Sequence, residues 1–120
     1  MNKISLIGDV GGTNLRLQLV ELPSCRKVSE LTVYPSQDYP SVDYCVKHFI
    51  ESNQVKPDVA VIGICGPVEK ETAFCCMIPK WPVVDARQIK QQNNLQEVVL
   101  INDFIAAGFG ILSLLPEDLK

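Results

Sequence analysis

Apolar and polar positions along the chain change their period several times, and each change marks an element. Ile4-Ser5-Leu6-Ile7 is an apolar run; beyond a glycine-centred turn, Leu15, Leu17 and Leu19 alternate with Arg16 and Gln18. The period of two predicts two strands joined as a β-hairpin. Leu22-Pro23-Ser24-Cys25-Arg26 breaks the alternation, and the β-formers of 28–34 predict a third strand, so the opening segment reads as an antiparallel meander. After the proline-bracketed loop 34–40, Ser41 is placed as an N-cap, and Val42, Cys45, Val46, Phe49 and Ile50 recur at helical spacing. That helix ends near Asn53, ahead of Pro57.

The unbroken apolar run Val59-Ala60-Val61-Ile62-Gly63-Ile64-Cys65 has the pattern of a strand covered on both faces, ending at the turn Gly66-Pro67. The stretch 71–78 reads as an edge strand, and 85–92 as a short helix capped by Asp85, with apolar contacts at Ala86 and Ile89. Val98-Val99-Leu100-Ile101 reads as a second buried strand, and 104–115 as a buried helix closed by Pro116. The order β-β-β-α-β-β-α-β-α predicts an α/β domain: a three-stranded antiparallel meander followed by strand-helix units in a mixed five-stranded sheet. Ligands of open α/β sheets gather at the carboxyl ends of strands, where Asp9, Gly66 and Asp103 all fall.

Chemistry concentrates first in the hairpin turn. Gly11 and Gly12 carry no Cβ, so backbone N–H groups there are open to close approach by an anion, most often phosphate. Asp9 adds a carboxylate able to hold magnesium directly or through water. Thr13 and Asn14 add neutral donors, and Arg16 a fixed positive charge on the same strand face as Asn14. A plain hairpin turn has the same two glycines, and the segment is neither a P-loop nor a dinucleotide fingerprint, because no Gly-Lys-Ser/Thr and no helix follows. Asn102-Asp103 is the second concentration. Asp103 follows four apolar residues and precedes Phe104, which places a partly desolvated carboxylate at the sheet rim, suited to accept a proton from a hydroxyl while Asn102 orients the substrate. Capping of the last helix by either residue is the alternative role.

Composition narrows the partners. With 120 residues, 47% apolar and 21% charged, this is one ordinary globular domain with room for a core. A net charge of -3 without a basic stripe argues against nucleic acid. No apolar run reaches membrane-spanning length and Met1-Asn2-Lys3-Ile4 is no leader, so a soluble cytoplasmic chain is expected. Five cysteines without C-x-x-C spacing fit reduced thiols, with Cys75 and Cys76 expected on opposite faces of a strand. The single histidine, His48, falls on a helix flank.

Gly8-Asp9-Val10-Gly11-Gly12-Thr13-Asn14-Leu15-Arg16, then Gly66-Pro67-Val68, then 100–108 with Asn102-Asp103-Phe104, together resemble the bacterial-type glucokinase family of the hexokinase and actin-like ATPase superfamily, whose domains have a ribonuclease H-like fold. The resemblance implies ATP-dependent phosphorylation of glucose at its 6-hydroxyl in glycolysis, with ATP and Mg2+. It implies that Asp9, Gly11, Gly12, Thr13, Asn14 and Arg16 meet nucleotide phosphates, that Asp9 serves the magnesium ion, that Asn102, Asp103, Gly66 and Pro67 meet the sugar, and that Asp103 is the general base. It allows a homodimer of a longer parent protein. Two departures stand out. The family's Thr-Asn or Ser-Asn pair ahead of the tryptophan is missing from Met77-Ile78-Pro79-Lys80-Trp81, and residues 1–120 correspond to the amino-terminal lobe, without the larger second lobe. A non-catalytic sugar-sensing module and a kinase for another hexose are the alternatives.

Overall fold

The computed structural model describes residues 3–24, 26–75 and 78–102. Its first two strands, β1 (Lys3–Val10) and β2 (Asn14–Leu22), pair antiparallel from Lys3↔Leu22 to Val10↔Leu15, as the alternation predicts. The expected third strand is split in two. Strand β3 (Arg26–Lys27) and strand β4 (Thr32–Pro35) each pair antiparallel with a different stretch of β2. Between them the Ser29 side chain takes over from the ladder: its Oγ accepts from the Leu19 N–H at 2.9 Å, while the Ser29 carbonyl accepts from Gln18 Nε2 at 3.1 Å. A serine that bonds the neighbouring backbone competes with regular pairing, which β-propensity does not register.

Helix α1 (Val42–Ser52) begins where Ser41 Oγ accepts from the Tyr44 N–H at 3.1 Å. Its buried residues are the five apolar positions of the helical spacing, Val42, Cys45, Val46, Phe49 and Ile50. Strand β5 (Val59–Ile64), buried at every position, lies parallel to β1, and β9 (Glu97–Asn102) lies parallel to β5. The main sheet therefore runs β2-β1-β5-β9, with β3 and β4 sharing the outer side of β2. The described residues of the stretch 71–78 do not edge this sheet. Three two-residue strands, β6 (Val68–Glu69), β7 (Thr72–Ala73) and β8 (Val84–Asp85), form a small antiparallel sheet of their own, and Cys75 falls outside any strand. Helix α2 (Ala86–Asn93) starts at the Asp85 cap, with Ala86 and Ile89 buried, and ends at Asn94 in the left-handed region (φ 56°). The predicted helix 104–115, Asp103, Cys25 and Cys76 lie outside the described residues.

The sheet has two apolar faces. Leu6, Val10, Leu15, Leu17, Leu19, Ile62 and Leu100 pack with the buried side chains of α1 and α2, whereas Val20, Leu22, Val59 and Val61 form a second cluster with Ile7, Val99 and Ile101. Gly8 faces the first cluster, where an added Cβ would come within 3.2 Å of Leu17 Cδ2 and 3.3 Å of Ile62, so a larger residue would have to push these side chains aside by a few tenths of an ångström. Phe49, 1% exposed, is among the largest fully buried side chains of that cluster. Phe49→Ala is expected to cost about 3–5 kcal/mol, because lost transfer energy and an incompletely relaxed cavity add. Thermal denaturation of the chain followed by circular dichroism measures it.

Candidate functional site

Parallel pairing aligns the carboxyl ends of three strands. Val10 is registered with Ile64, and Ile64 with Asn102, so β1, β5 and β9 finish on one edge of the sheet. Two strand spacings put the ends of β1 and β9 about 10 Å apart. The Cys65 N–H donates to the Val10 carbonyl at 3.2 Å, which joins the first two ends. Asn102 Nδ2 donates to the Gly66 carbonyl, which joins the second and third.

Asp9, one residue before the end of β1, projects onto the face opposite the α1 side, since Leu6 and Val10 take that side by alternation. Its cross-strand neighbour is Arg16, whose Nη1 stands 3.7 Å from Asp9 Oδ2, with the side chains 48% and 33% exposed respectively. Its neighbour on the other side is Gly63. Gly63 has no side chain to set beside the Asp9 carboxylate on that flank. Burial pushes the Asp9 carboxyl above its ordinary range, and the Arg16 guanidinium pulls it back only in part.

The turn between β1 and β2 is closed by the Gly11 N–H donating to the Asn14 carbonyl at 3.0 Å. Gly11 lies outside the left-handed region, and an added Cβ would meet only the Asn14 carbonyl oxygen, at 3.4 Å. The chain's own backbone therefore does not demand glycine at this position. Thr13 is exposed and Asn14 half-buried. Ser36, which sequence reasoning missed, braces the turn from behind: its N–H donates to the Thr13 carbonyl at 2.9 Å and its Oγ to the Gly11 carbonyl at 3.1 Å. No sequence signal marks it, since a serine in a proline-bracketed loop is ordinary.

The structure thus brings together Asp9, Gly11, Gly12, Thr13, Asn14 and Arg16 in one hairpin, and aligns with it the edge that carries Gly66 and Asn102. Asn102 is exposed, with its amide nitrogen engaged by Gly66; Pro67 accepts from the Phe74 N–H at 3.1 Å, which ties the turn to the small sheet. Asp103 is the next residue in the chain after Asn102 and lies outside the described residues. Among the described residues no cluster of three His, Cys, Asp or Glu side chains forms a metal cage. One partly exposed carboxylate is the provision expected for magnesium that arrives with nucleotide phosphates, and Asp9 fits that group. His48 sits on α1 with its Nδ1 3.0 Å from the Tyr34 hydroxyl and its ring stacked on Tyr44. A surface hollow of about 480 Å³ lined by Glu69, Lys70, Glu71, Thr72 and Arg87 contains none of the candidate residues; Arg87 there is already paired with Glu71 and Asp85, each at 3.1 Å.

Comparison with known proteins matches the sequence profile of the glucokinase family over residues 6–120. The chain is 36% identical over 117 residues to a glucokinase of Nostoc punctiforme, covering 95% of this chain and 34% of that protein. It is 31% identical over 118 residues to a glucokinase of Psychromonas ingrahamii, covering 98% and 36%. Among solved structures, a glucokinase from an Antarctic psychrotroph superposes with a TM-score of 0.71 at 24% identity, over 85% of this chain and 33% of that one. A ROK hexokinase from Thermus thermophilus superposes at 0.54 with 18% identity, over 85% and 35%. The chain spans about a third of the length of these relatives, and it shares its fold with the solved structures. By sequence over nearly its whole length, the chain belongs to the glucokinase family.

Proposed function

We propose that these residues are the amino-terminal lobe of a kinase that transfers the γ-phosphoryl group of ATP to the 6-hydroxyl of glucose. The observation that carries the reading is the shared edge of β1, β5 and β9, which sets a glycine turn with a carboxylate beside the segment leading into Asp103. Phosphoryl transfer asks little covalent chemistry of a protein beyond positioning, charge neutralisation and one base. On this reading the N–H groups of the 11–13 turn and the Arg16 guanidinium hold the phosphates. Asn102, with the Gly66-Pro67 turn, orients the sugar. Asp103 takes the proton from O6 as O6 bonds to the γ-phosphorus and the bond to the β,γ-bridging oxygen breaks. Magnesium held by Asp9 and the phosphates supplies neutralisation of the charge on the transferred group.

A second reading, another hexose as substrate, is favoured by one observation. Ile78 is 2% exposed and buried in the core, and Ile78-Pro79-Lys80-Trp81 offers no side-chain amide to a sugar hydroxyl. Assay of the complete open reading frame against a panel of hexoses and amino sugars separates the two, with glucose expected to give the highest kcat/KM. Binding of both sugar and magnesium nucleotide by calorimetry without turnover would instead support a sensing module.

Residues 1–120 alone are expected to show negligible turnover, because a single lobe has no partner to close over the phosphates and exclude water. A coupled assay for glucose 6-phosphate checks it, and brisk magnesium-dependent formation by the purified chain would contradict the two-lobe reading.

A further inference from the structure

We propose that Ser36 is a positioning residue for the nucleotide phosphates, acting through the turn it braces; the proposal rests on the phosphate role assigned to that turn. Ser36 is fully buried and opens the 3-10 turn Ser36–Asp38, directly after β4. Through its hydroxyl and its N–H it donates to two carbonyls of the 11–14 segment, those of Gly11 and Thr13. In a trans peptide the C=O and the following N–H point in opposite directions. Drawing the Gly11 carbonyl toward Ser36 therefore turns the Gly12 N–H away from Ser36, outward from the turn. Glycine peptides have wide conformational freedom, and an N–H donor aimed in advance binds an anion better than one that must be ordered on binding.

The brace is itself fixed at both ends. Pro35 is registered with Asn14 in the β2–β4 ladder, and beyond the 3-10 turn Lys80 Nζ donates to the Gln37 carbonyl at 3.3 Å and Trp81 Nε1 to the Tyr39 carbonyl at 2.8 Å. The segment 35–40 is thus a strap between the phosphate turn and the Trp81 loop. A buried hydroxyl that served the fold alone would give no selective effect on one substrate; a strap on the phosphate turn does.

The test uses the complete open reading frame with MgATP and glucose as probes. Ser36→Ala keeps the N–H bond to Thr13 and deletes only the bond to Gly11. It is expected to raise KM for MgATP about tenfold, the effect of one buried hydrogen bond and its stranded acceptor, while KM for glucose stays at the wild-type value. Ser41→Ala, which removes the α1 cap a few residues away, serves as the stability control: it is expected to lower Tm and leave both KM values unchanged. Ser36→Cys keeps the volume and weakens the donor, with a smaller rise in the MgATP KM expected, and answers if the alanine variant does not fold. Equal changes in both KM values, or a lowered Tm with an unchanged MgATP KM, would overturn the proposal. Asp9→Asn separates the two levels: if it loses nucleotide affinity and the Ser36 variants do not, Ser36 is structural only; if neither affects nucleotide affinity, the turn is not the phosphate site.

Discussion

Asp103→Ala in the complete open reading frame is expected to reduce kcat by about a thousandfold, within the range contributed by a positioned general base, with little change in Tm. The sugar hydroxyl is a poor nucleophile until its proton has somewhere to go, and on the proposed reading the Asp103 carboxylate is that acceptor. Asp103 follows the strand β9, whose last residue Asn102 is exposed at the sheet edge. Steady-state kinetics beside thermal denaturation checks both halves. Near-normal turnover in that variant would remove the base from the mechanism, and loss of the folded state would show that the carboxylate is a cap.

Asp9→Asn carries the second large effect and a sign that a structural carboxylate would not give. The substitution is expected to lower turnover by at least about a hundredfold, because a neutral amide holds magnesium far less well than a carboxylate. At pH 7 its Tm is expected to equal or exceed that of the wild type. The sign follows from linkage: burial raises the folded-state pKa of Asp9 above the value it has in the unfolded chain. Between those two values the folded chain holds a proton that the unfolded chain has released, so stability falls as pH rises through the window and the penalty is present in full above the folded-state value. Asn removes that penalty together with the distant, half-exposed Arg16 pairing, which contributes little. On the proposed reading metal binding runs the other way, since the ionised form of Asp9 would be the ligand. MgATP affinity is therefore expected to fall as pH drops through the raised pKa, at a higher pH than for an ordinary aspartate. Titration of MgATP affinity between pH 4 and 7 in both proteins measures this, within the pH range a shifted carboxylate covers.

Those expectations rest on elements that differ in how visible they are in the sequence. The β1–β2 hairpin, α1, β5 and β9 are legible because each has a long apolar pattern of one period, and tertiary packing reinforces that pattern instead of overriding it. The split of the third strand is not legible, because it turns on one hydroxyl, Ser29 Oγ, substituting for a ladder bond. The small sheet of β6, β7 and β8 is invisible for a different reason: strands of two residues carry no period, and what pairs Thr72 with Asp85 is the course of the chain between them. Of the candidate site, Asp9, the glycines and Asn102 stand out as polar residues at the ends of apolar runs. Gly63 and Ser36 do not, since their importance comes from what lies beside them in space, Asp9 in one case and the Gly11 carbonyl in the other.

The most direct test is a crystal structure of the complete protein with glucose and a non-hydrolysable magnesium nucleotide. The account predicts phosphate oxygens within hydrogen-bond distance of the Gly11–Thr13 backbone amides, the metal bound to Asp9 directly or through one water, and the sugar 6-hydroxyl on the Asp103 carboxylate. A nucleotide seated elsewhere, with the turn empty and Asp9 still paired to Arg16, would contradict it.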